Sequence, residues 1–391
     1  MKSLRHIALM AAMMIAAALT LGSCSDFFEG EGDCPLEVYV KFRYDYNLQR
    51  ANMFADHVSA VTLYVFDDNN TLVATHTERN TPSSAPLRDP NYEMYLKLPY
   101  GRYHFMALAG DPVTTLDPTA NAASRAKFIV SPFTTQQDMT IHLTQNSQLP
   151  TPNSQLSTPN SQLSSLPLDT LWHGMSSKVI EPNDFDVCRD TISLIRDTKQ
   201  IMVSLCDIDS SNGTDINNFT ITITDHNAHL LWDNSVDPTY AVLYHPYATW
   251  NAQGITSSSE QEQSGNSEGV TSSSEQEQSA LTLPQTAHAQ FMTSRIIAHT
   301  NPADDATLYI YNKEKDEEVA TLNLVDLLCR LRNYDDLHRY TPQEFLDRAY
   351  DYNIEFFLKA GKPAYIDVTT YVAIGVNILS WSRRVQLVQL Q

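Results

Sequence analysis

The chain is short of positive charge. It has 26 lysines and arginines against 46 aspartates and glutamates, a formal charge of −20 over 391 residues. Phosphate backbones are bound by clustered Lys and Arg, so this balance argues against nucleic acid as a partner. Glycine is modest at 12 residues, and there are only 5 cysteines. No two cysteines have C-x-x-C spacing, which argues against a zinc ribbon or thioredoxin-like chemistry. HExxH and GxSxG are both missing, and with them the simplest signatures of a zinc protease or a serine hydrolase. Beyond the N-terminus no apolar run approaches the roughly 20 residues that span a bilayer.

The N-terminus itself is distinctive. Lys2 and Arg5 precede a Met- and Ala-rich apolar run from Ile7 to Leu21, followed by Leu21-Gly22-Ser23-Cys24. A positive start, a short apolar run and small residues at the cut read as a secretory signal over residues 1–23. A plain signal needs no cysteine at that point. The sequence is similar to a bacterial lipobox, in which the Cys24 thiol is acylated (a palmitate-type modification) and becomes the new N-terminus. Losing Lys2 and Arg5 makes the mature chain more acidic still, so acyl chains rather than net charge must hold it to a membrane. Residues 24–34 are acidic, contain glycine and show no period; they read as a lipidated flexible tether.

From Leu36 the pattern alternates. Leu36, Val38, Val40, Phe42 and Tyr44 fall on one face, and Glu37, Lys41, Arg43 and Asp45 on the other, which predicts a half-buried strand. Asn52 to His57 predicts one helical turn. Further strands are expected at Val58–Phe66, Thr71–Thr77, Tyr92–Leu98, Tyr103–Ala109, Lys127–Phe133 and Met139–Thr144, with Asp67-Asp68-Asn69-Asn70 turning the first hairpin. About seven short strands separated by turn signals suggest an antiparallel sandwich over residues 35–145. A seven-residue unit around Asn-Ser-Gln-Leu then recurs through Thr144–Ser164. Its prolines and single leucine per unit exclude a coiled coil, so residues 146–167 read as a low-complexity linker.

A second domain is expected over 168–391. Thr191 to Leu205 is strand-like but broken near Asp197-Thr198-Lys199. Phe219–Thr224 and Leu230–Asp233 are expected to form a hairpin around Asp225-His226-Asn227-Ala228, followed by a strand at Tyr240–Tyr247. A duplicated polar stretch at 254–279 cannot build a core and reads as a disordered insert. Strands resume at Phe291–Ala298, Thr307–Tyr311 and Glu318–Leu322. Two helices follow. Leu324, Leu327, Leu328 and Leu331 share one face, and Thr341-Pro342-Gln343-Glu344 is a capping box with Pro at the first helical position. Strands at Asn353–Lys359, Ala364–Thr370, Val372–Ile378 and Arg384–Leu390 close the chain. Cys34, Cys188, Cys206 and Cys329 allow three disulfide pairings, and free buried thiols are equally admissible.

Chemistry-bearing constellations are weak. His226 and His229 are three apart but fall in a predicted turn, where they need not converge on a metal. Asp207 to Asp215 resembles a calcium loop with its glycine one place late and Asn218 at position twelve, so a polar turn is the better reading. Ser124-Arg-Ala-Lys127 spells S-x-x-K without its companion motifs. Tyr244, Tyr247, Trp250 and Trp381 are candidate sugar platforms, although core packing is the commoner fate of strand aromatics. Asp169-Thr170-Leu171 and Asp190-Thr191-Ile192 resemble Bacteroidetes O-glycosylation sites at Thr170 and Thr191. No catalytic, cofactor or metal-binding residue is assigned, and no enzyme activity is expected.

Several segments together carry a family resemblance. They are the lipobox with Cys34 shortly after it, Val58-Ser-Ala-Val-Thr-Leu-Tyr-Val-Phe-Asp67, Leu171-Trp-His-Gly174, Phe291-Met-Thr-Ser-Arg-Ile296, Tyr340-Thr-Pro-Gln-Glu-Phe-Leu-Asp347 and Val376-Asn-Ile-Leu-Ser-Trp-Ser-Arg-Arg384. Their order and spacing resemble the FimB-type fimbrial anchor lipoproteins of Bacteroidales, the base subunits of type V pili. The long linker repeats, the 254–279 insert and Asn377-Ile-Leu-Ser in place of an Asn-Gly turn depart from that pattern. The resemblance implies two transthyretin-like β-sandwich domains in tandem, with a few short helices in the second. It also implies a lipid-anchored fimbrium base in the outer membrane that binds the adjoining pilin subunit by β-strand pairing. Asp26, Glu29, Glu31 and Asp33 loosely fit the acidic signal that sends such lipoproteins to the outer face. The competing reading is a surface lipoprotein that binds glycan.

Replacing Cys24 is the direct test of the anchor. Cys24→Ala is expected to abolish acylation and shift the protein from the membrane pellet to the soluble fraction; firm retention in the outer membrane would refute the lipid anchor.

Overall fold

The fold was obtained as a computed structural model, which describes residues 36–110, 113–114, 128–143, 167–183, 187–209, 213–254, 283–333, 335–373 and 381–389. It is mainly β, with two β-rich bodies and most of the helix late in the chain. The first strands are β1 (Leu36–Arg43), β2 (Ala60–Asp67), β3 (Leu72–Arg79), β4 (Met94–Leu98) and β5 (Tyr103–Gly110), with a helical turn α1 (Phe54–His57) between β1 and β2. Next come β6 (Val113–Thr114), β7 (Phe128–Val130) and β8 (Thr140–Leu143). Beyond the linker lie β9 (Leu171–Met175), β10 (Cys188–Ser193), β11 (Ile195–Arg196) and β12 (Lys199–Asp207).

Two sheets form the first body. One has the order β10-β1-β4 and the other β11-β9-β5-β2-β3. Val38, Val40, Phe42, Leu96 and Ile192 from the smaller sheet pack on Val61, Leu63, Val65, Phe105 and Trp172 from the larger. The alternation read from Leu36 to Arg43 is therefore real, and it points its apolar side into this core. The Asp67 carboxylate sets the β2–β3 turn by accepting from the backbone N–H groups of Asn69 and Thr71, at 2.8 and 2.9 Å. The larger sheet is also buried on its second face, where Tyr64, Phe66, Met106 and Leu108 meet Phe128, Val130, Ile141 and Leu143.

The second body contains β13 (Phe219–Asp225), β14 (His229–Leu231), β15 (Val242–Tyr244), β16 (Ala248–Gly254), β17 (Leu283–Thr293), β18 (Thr307–Asn312) and β19 (Glu317–Asn323). The helices α2 (Leu324–Cys329) and α3 (Pro342–Arg348) precede β20 (Asp351–Lys359), β21 (Lys362–Ala373) and β22 (Trp381–Gln389). A six-stranded sheet, β16-β17-β12-β20-β21-β22, packs on a four-stranded one, β15-β13-β18-β19. Ile201, Val203, Ile221, Ile223, Leu308, Ile310, Ile354 and Phe356 lie in the shared core, and the helices add Leu324, Leu327, Leu328, Phe345 and Leu346. The expected cap is present: Thr341 Oγ1 accepts from the Glu344 N–H at 3.1 Å.

Several sequence expectations need correction. The sequence places the strands at 171–196 in the second domain, yet β9 and β11 join the sheet of β5 and β2, and β10 lies beside β1. The reason is visible in β9: Leu171, Trp172, His173 and Gly174 are all buried, so this strand needs cover on both faces. The sheets are also not purely antiparallel, because β1 pairs with β10, β6 with β7 and β12 with β20 in parallel. The predicted hairpin at 219–233 does not form. β13 pairs with β15 and β18, whereas β14 crosses to β8. Asn227, between them, donates to the Arg295 carbonyl at 3.0 Å and accepts from the Tyr244 hydroxyl at 2.6 Å, which turns the chain out of the sheet. The two strands expected at Ala364–Thr370 and Val372–Ile378 are one strand over their described part, 362–373. Cys188, Cys206 and Cys329 are free, which leaves no disulfide among them. Cys34, the linker and the insert lie outside the described residues.

The insert joins two strands that are already in register, since Gly254 pairs with Leu283. Replacing residues 255–282 with Asn-Gly is expected to leave the thermal midpoint within a few degrees of the parent, because loop closure depends only weakly on length. A larger drop in a melting scan would show that the insert packs on the fold.

Candidate functional site: the tethered strand and the joint behind it

β1 is the strand into which the N-terminal segment leads. It is hydrogen-bonded on both sides. Leu36 through Val40 pair antiparallel with Leu98 through Met94, and Val38 through Arg43 pair parallel with Cys188 through Ser193. Load applied along β1 is thus shared by two ladders and by a buried apolar face. The chain then reverses. Asn47 Nδ2 donates to the Tyr44 and Ala51 carbonyls at 2.8 and 2.9 Å, and Asn52 Oδ1 accepts from the Tyr44 N–H at 3.0 Å. Arg50 at the tip has a φ of 56°, and its Nε donates to the Tyr340 hydroxyl at 3.1 Å.

Behind this turn is a buried polar joint between the two bodies. The Tyr44 ring meets Trp172 edge-on at 5.9 Å, and the Arg196 guanidinium lies over Trp172 and Tyr350 at 5.5 and 4.3 Å. Lys199 is fully buried, and its ammonium donates to the carbonyls of Arg196, Asp347 and Ala349 at 3.0, 3.2 and 3.0 Å. Burial lowers the pKa of Lys199 and raises that of Asp197 nearby. Asp197 accepts from Asn234 Nδ2 at 2.9 Å. Arg295 grips Asp347 through Nε and Nη2 at 2.8 and 2.7 Å and also reaches the Asn234 carbonyl. From β9, His173 Nε2 donates to the Trp232 carbonyl at 2.9 Å, and burial holds the ring neutral, with its pKa pushed down to about 4.

This joint explains three of the sequence segments singled out above. Arg295 of Phe291–Ile296 meets Asp347 of Tyr340–Asp347 in the bidentate pair. Leu171–Gly174 supplies Trp172 and His173. Gly174 is required by close approach, because a Cβ there would lie 2.7 Å from both the Ser193 carbonyl oxygen and Ile192 Cγ2. Sequence reasoning missed Arg196, Lys199 and the Arg295–Asp347 pair as a group. Asp197-Thr198-Lys199 had signalled only a break in a strand, and nothing local reveals that distant charges converge on it.

The other candidates scatter. Cys24, Ser124 and Lys127 lie outside the described residues. Thr170 is half-buried, with its carbonyl pressed against Gly110, whereas Thr191 is exposed on the edge strand β10. His229 stacks on Tyr240 at 3.6 Å and faces His142 rather than His226, and no three metal-binding side chains cluster among the described residues. Asp215 caps the turn Ile216–Asn218, as a polar turn would; residues 210–212 of that loop lie outside the described set. Tyr244 is buried and hydrogen-bonded to Asn227, and Tyr247 is half-buried. Trp250 is 38% exposed and stacks on His288 at 5.2 Å, while the Trp381 side chain is outside the described set.

Two β-sandwich bodies fastened to each other by a buried polar joint are the frame in which these residues sit. Residues 31–386 match the family described as fimbrillin-A associated anchor proteins Mfa1 and Mfa2, and the chain belongs to that family. It resembles a candidate adhesin from Bacteroides thetaiotaomicron, with 25% identity and a TM-score of 0.64 over 86% of this chain and 97% of the other. A candidate polysaccharide-binding protein from the same organism (24% identity, TM-score 0.58, 85% and 95% covered) shares the fold. So does the fimbrial anchor protein Mfa2 from Porphyromonas gingivalis (16% identity, TM-score 0.54, 86% and 97% covered). No curated protein matches the sequence. The chain is a fimbrial or adhesin-type surface protein of the Bacteroidales kind, not an enzyme.

Removing half of the Arg295–Asp347 pair leaves an uncompensated buried charge, which costs about 3–5 kcal/mol. Arg295→Met is expected to lower the urea midpoint accordingly, and Arg295→Met/Asp347→Leu to recover most of the loss. Equal midpoints for Arg295→Met and the parent would show that the pair does not fasten the joint.

Proposed function

We propose that this chain is the lipid-anchored base subunit of a pilus, FimB-type in role, held in the outer membrane by acylated Cys24 and exposed on the cell exterior. In this reading residues 24–34 are the lipidated tether, residues 146–167 a low-complexity linker, and each body a transthyretin-like sandwich. The observation that carries the proposal is the position of β1. The strand that follows the tether is central, paired on both sides, and buries Val38, Val40 and Phe42 completely or nearly so. Burying such side chains stabilises by about 1.5–3 kcal/mol each, so a pull on Cys24 is transmitted into the body of the protein. A subunit cleaved after Arg50 would keep its lipid only through this strand's non-covalent pairing. The mature anchor therefore runs unbroken from Cys24.

The adjoining pilin then binds elsewhere, by strand pairing at an open edge. Among the described residues, β22 ends the six-stranded sheet and pairs with β21 alone. It closes its own sheet on one side and leaves backbone groups on the other for a neighbour's strand. A glycan-binding role has Trp250 as its one supporting observation and stands second.

Mass spectrometry of protein taken from the outer membrane, with crosslinking to the adjoining pilin, decides the matter. The expected result is an acylated N-terminus at Cys24 and crosslinks to the second body near β22. A dominant form beginning at Ala51, or crosslinks confined to the first body (residues 36–143 and 171–196), would overturn the assignment.

A further inference from the structure

We infer that the outer face of the sheet β10-β1-β4 rests on the anionic headgroups of the leaflet that holds Cys24. The inference deepens the lipid-anchor reading and depends on it. The inner side of this sheet is core, and its alternate residues form the outer side. Across the three strands Arg189, Tyr39 and Tyr95 stand in one row. The two tyrosine rings lie 5.3 Å apart, and the Arg189 guanidinium sits 5.1 Å from the Tyr39 ring centre. Lys41 and Lys97 flank that row on the same face, and neither makes an ion pair among the described residues.

Exposure is unusual here. Tyr95 is 43% exposed, Tyr100 just beyond β4 is 41% exposed, and Val187 just ahead of β10 is 51% exposed. These are three of the seven large apolar side chains that stand out in water among the described residues. The carboxylate of Glu37 is turned onto the tyrosines, accepting from the Tyr39 and Tyr95 hydroxyls at 3.4 and 3.2 Å, and Glu93 is paired with Arg189 at 3.5 Å. Amphipathic rings beside free lysines suit a bilayer interface, where the ring sits at headgroup level and the ammonium meets phosphate.

Reach and charge both select this face. From Cys24 to Leu36 an extended chain covers at most about 40 Å, at roughly 3.3–3.6 Å per residue, so the sheet containing β1 is the first that can touch the membrane. The formal charge of −20 repels an anionic surface from most directions, so close approach favours a face that carries unpaired lysines, and this one is the face the tether leads into. Weak affinity suffices, because the acyl tether supplies a high effective concentration. The result is a fixed orientation, with the first body lying down on the leaflet.

The test uses the acylated mature protein in nanodiscs, of phosphatidylglycerol in one arm and phosphatidylcholine in the other. Flotation reports anchoring, and hydroxyl-radical footprinting reports the face. Tyr39 and Tyr95 are expected to oxidise roughly fivefold more slowly in the anionic discs, with Trp250 unchanged. Lys41→Gln/Lys97→Gln should abolish that protection without changing the melting temperature. Protein that floats but oxidises equally in both discs, or a double variant that keeps its protection, would overturn the inference. A glycan found on Thr191, next to Lys41 on this face, would overturn it too. A wild-type chain that does not float refutes the lipid anchor itself, and this inference with it.

Discussion

The structure depends on one strand being held from both sides. β1 contributes the centre of the small sheet and one wall of the first core, and its last turn sets Tyr44 against Trp172 and Arg196. Hydrophobic burial alone would tolerate a two-residue slip of β1 along its neighbours, which keeps each side chain on its face. A one-residue slip, however, turns every side chain to the opposite face, sending Val38 and Phe42 to water and Tyr39 inward. The two ladders and the Tyr44 contact therefore fix one register, and the joint behind it inherits that precision.

That joint is polar where a hydrophobic interface would be simpler. A buried Lys199, a buried Asp197 and the Arg295–Asp347 pair each carry a desolvation cost, offset only when every group finds its partner. Such an arrangement adds little net stability compared with packed leucines, but it penalises any relative placement of the two bodies other than the native one. The joint thus sets a single defined angle between the bodies more than it adds stability.

Local pattern made the strands legible. The alternation at Leu36–Arg43, the Asp67–Asn70 turn and the Thr341 cap all follow from spacing and side-chain chemistry acting within a few residues. What could not be read was partnership. Nothing in Cys188–Ser193 states that it runs parallel to β1, because a parallel mate comes from distant sequence and leaves no turn signal. The hairpin expected at 219–233 failed for a related reason. Asp225-His226-Asn227 has the composition of a tight turn, but Asn227 is claimed by Arg295 and Tyr244 from other strands. The groups of the joint were invisible as a unit, since they come from four distant segments, 172–173, 196–199, 295 and 347, none of which holds more than three of them.

The parallel pairing of β1 with β10 also carries a timetable. β1 cannot find this neighbour until the chain has been made, or delivered across a membrane, as far as residues 188–193. Contacts between such distant segments are entropically slow to close and make folding late. For a protein that crosses a membrane from its N-terminus, the leading strand would emerge first and complete its sheet last. In the interval its apolar face and open backbone edge would be available to anything extended that comes near. The arrival of β10 is then the event that closes this edge, and the sheet is sealed by the chain's own progress.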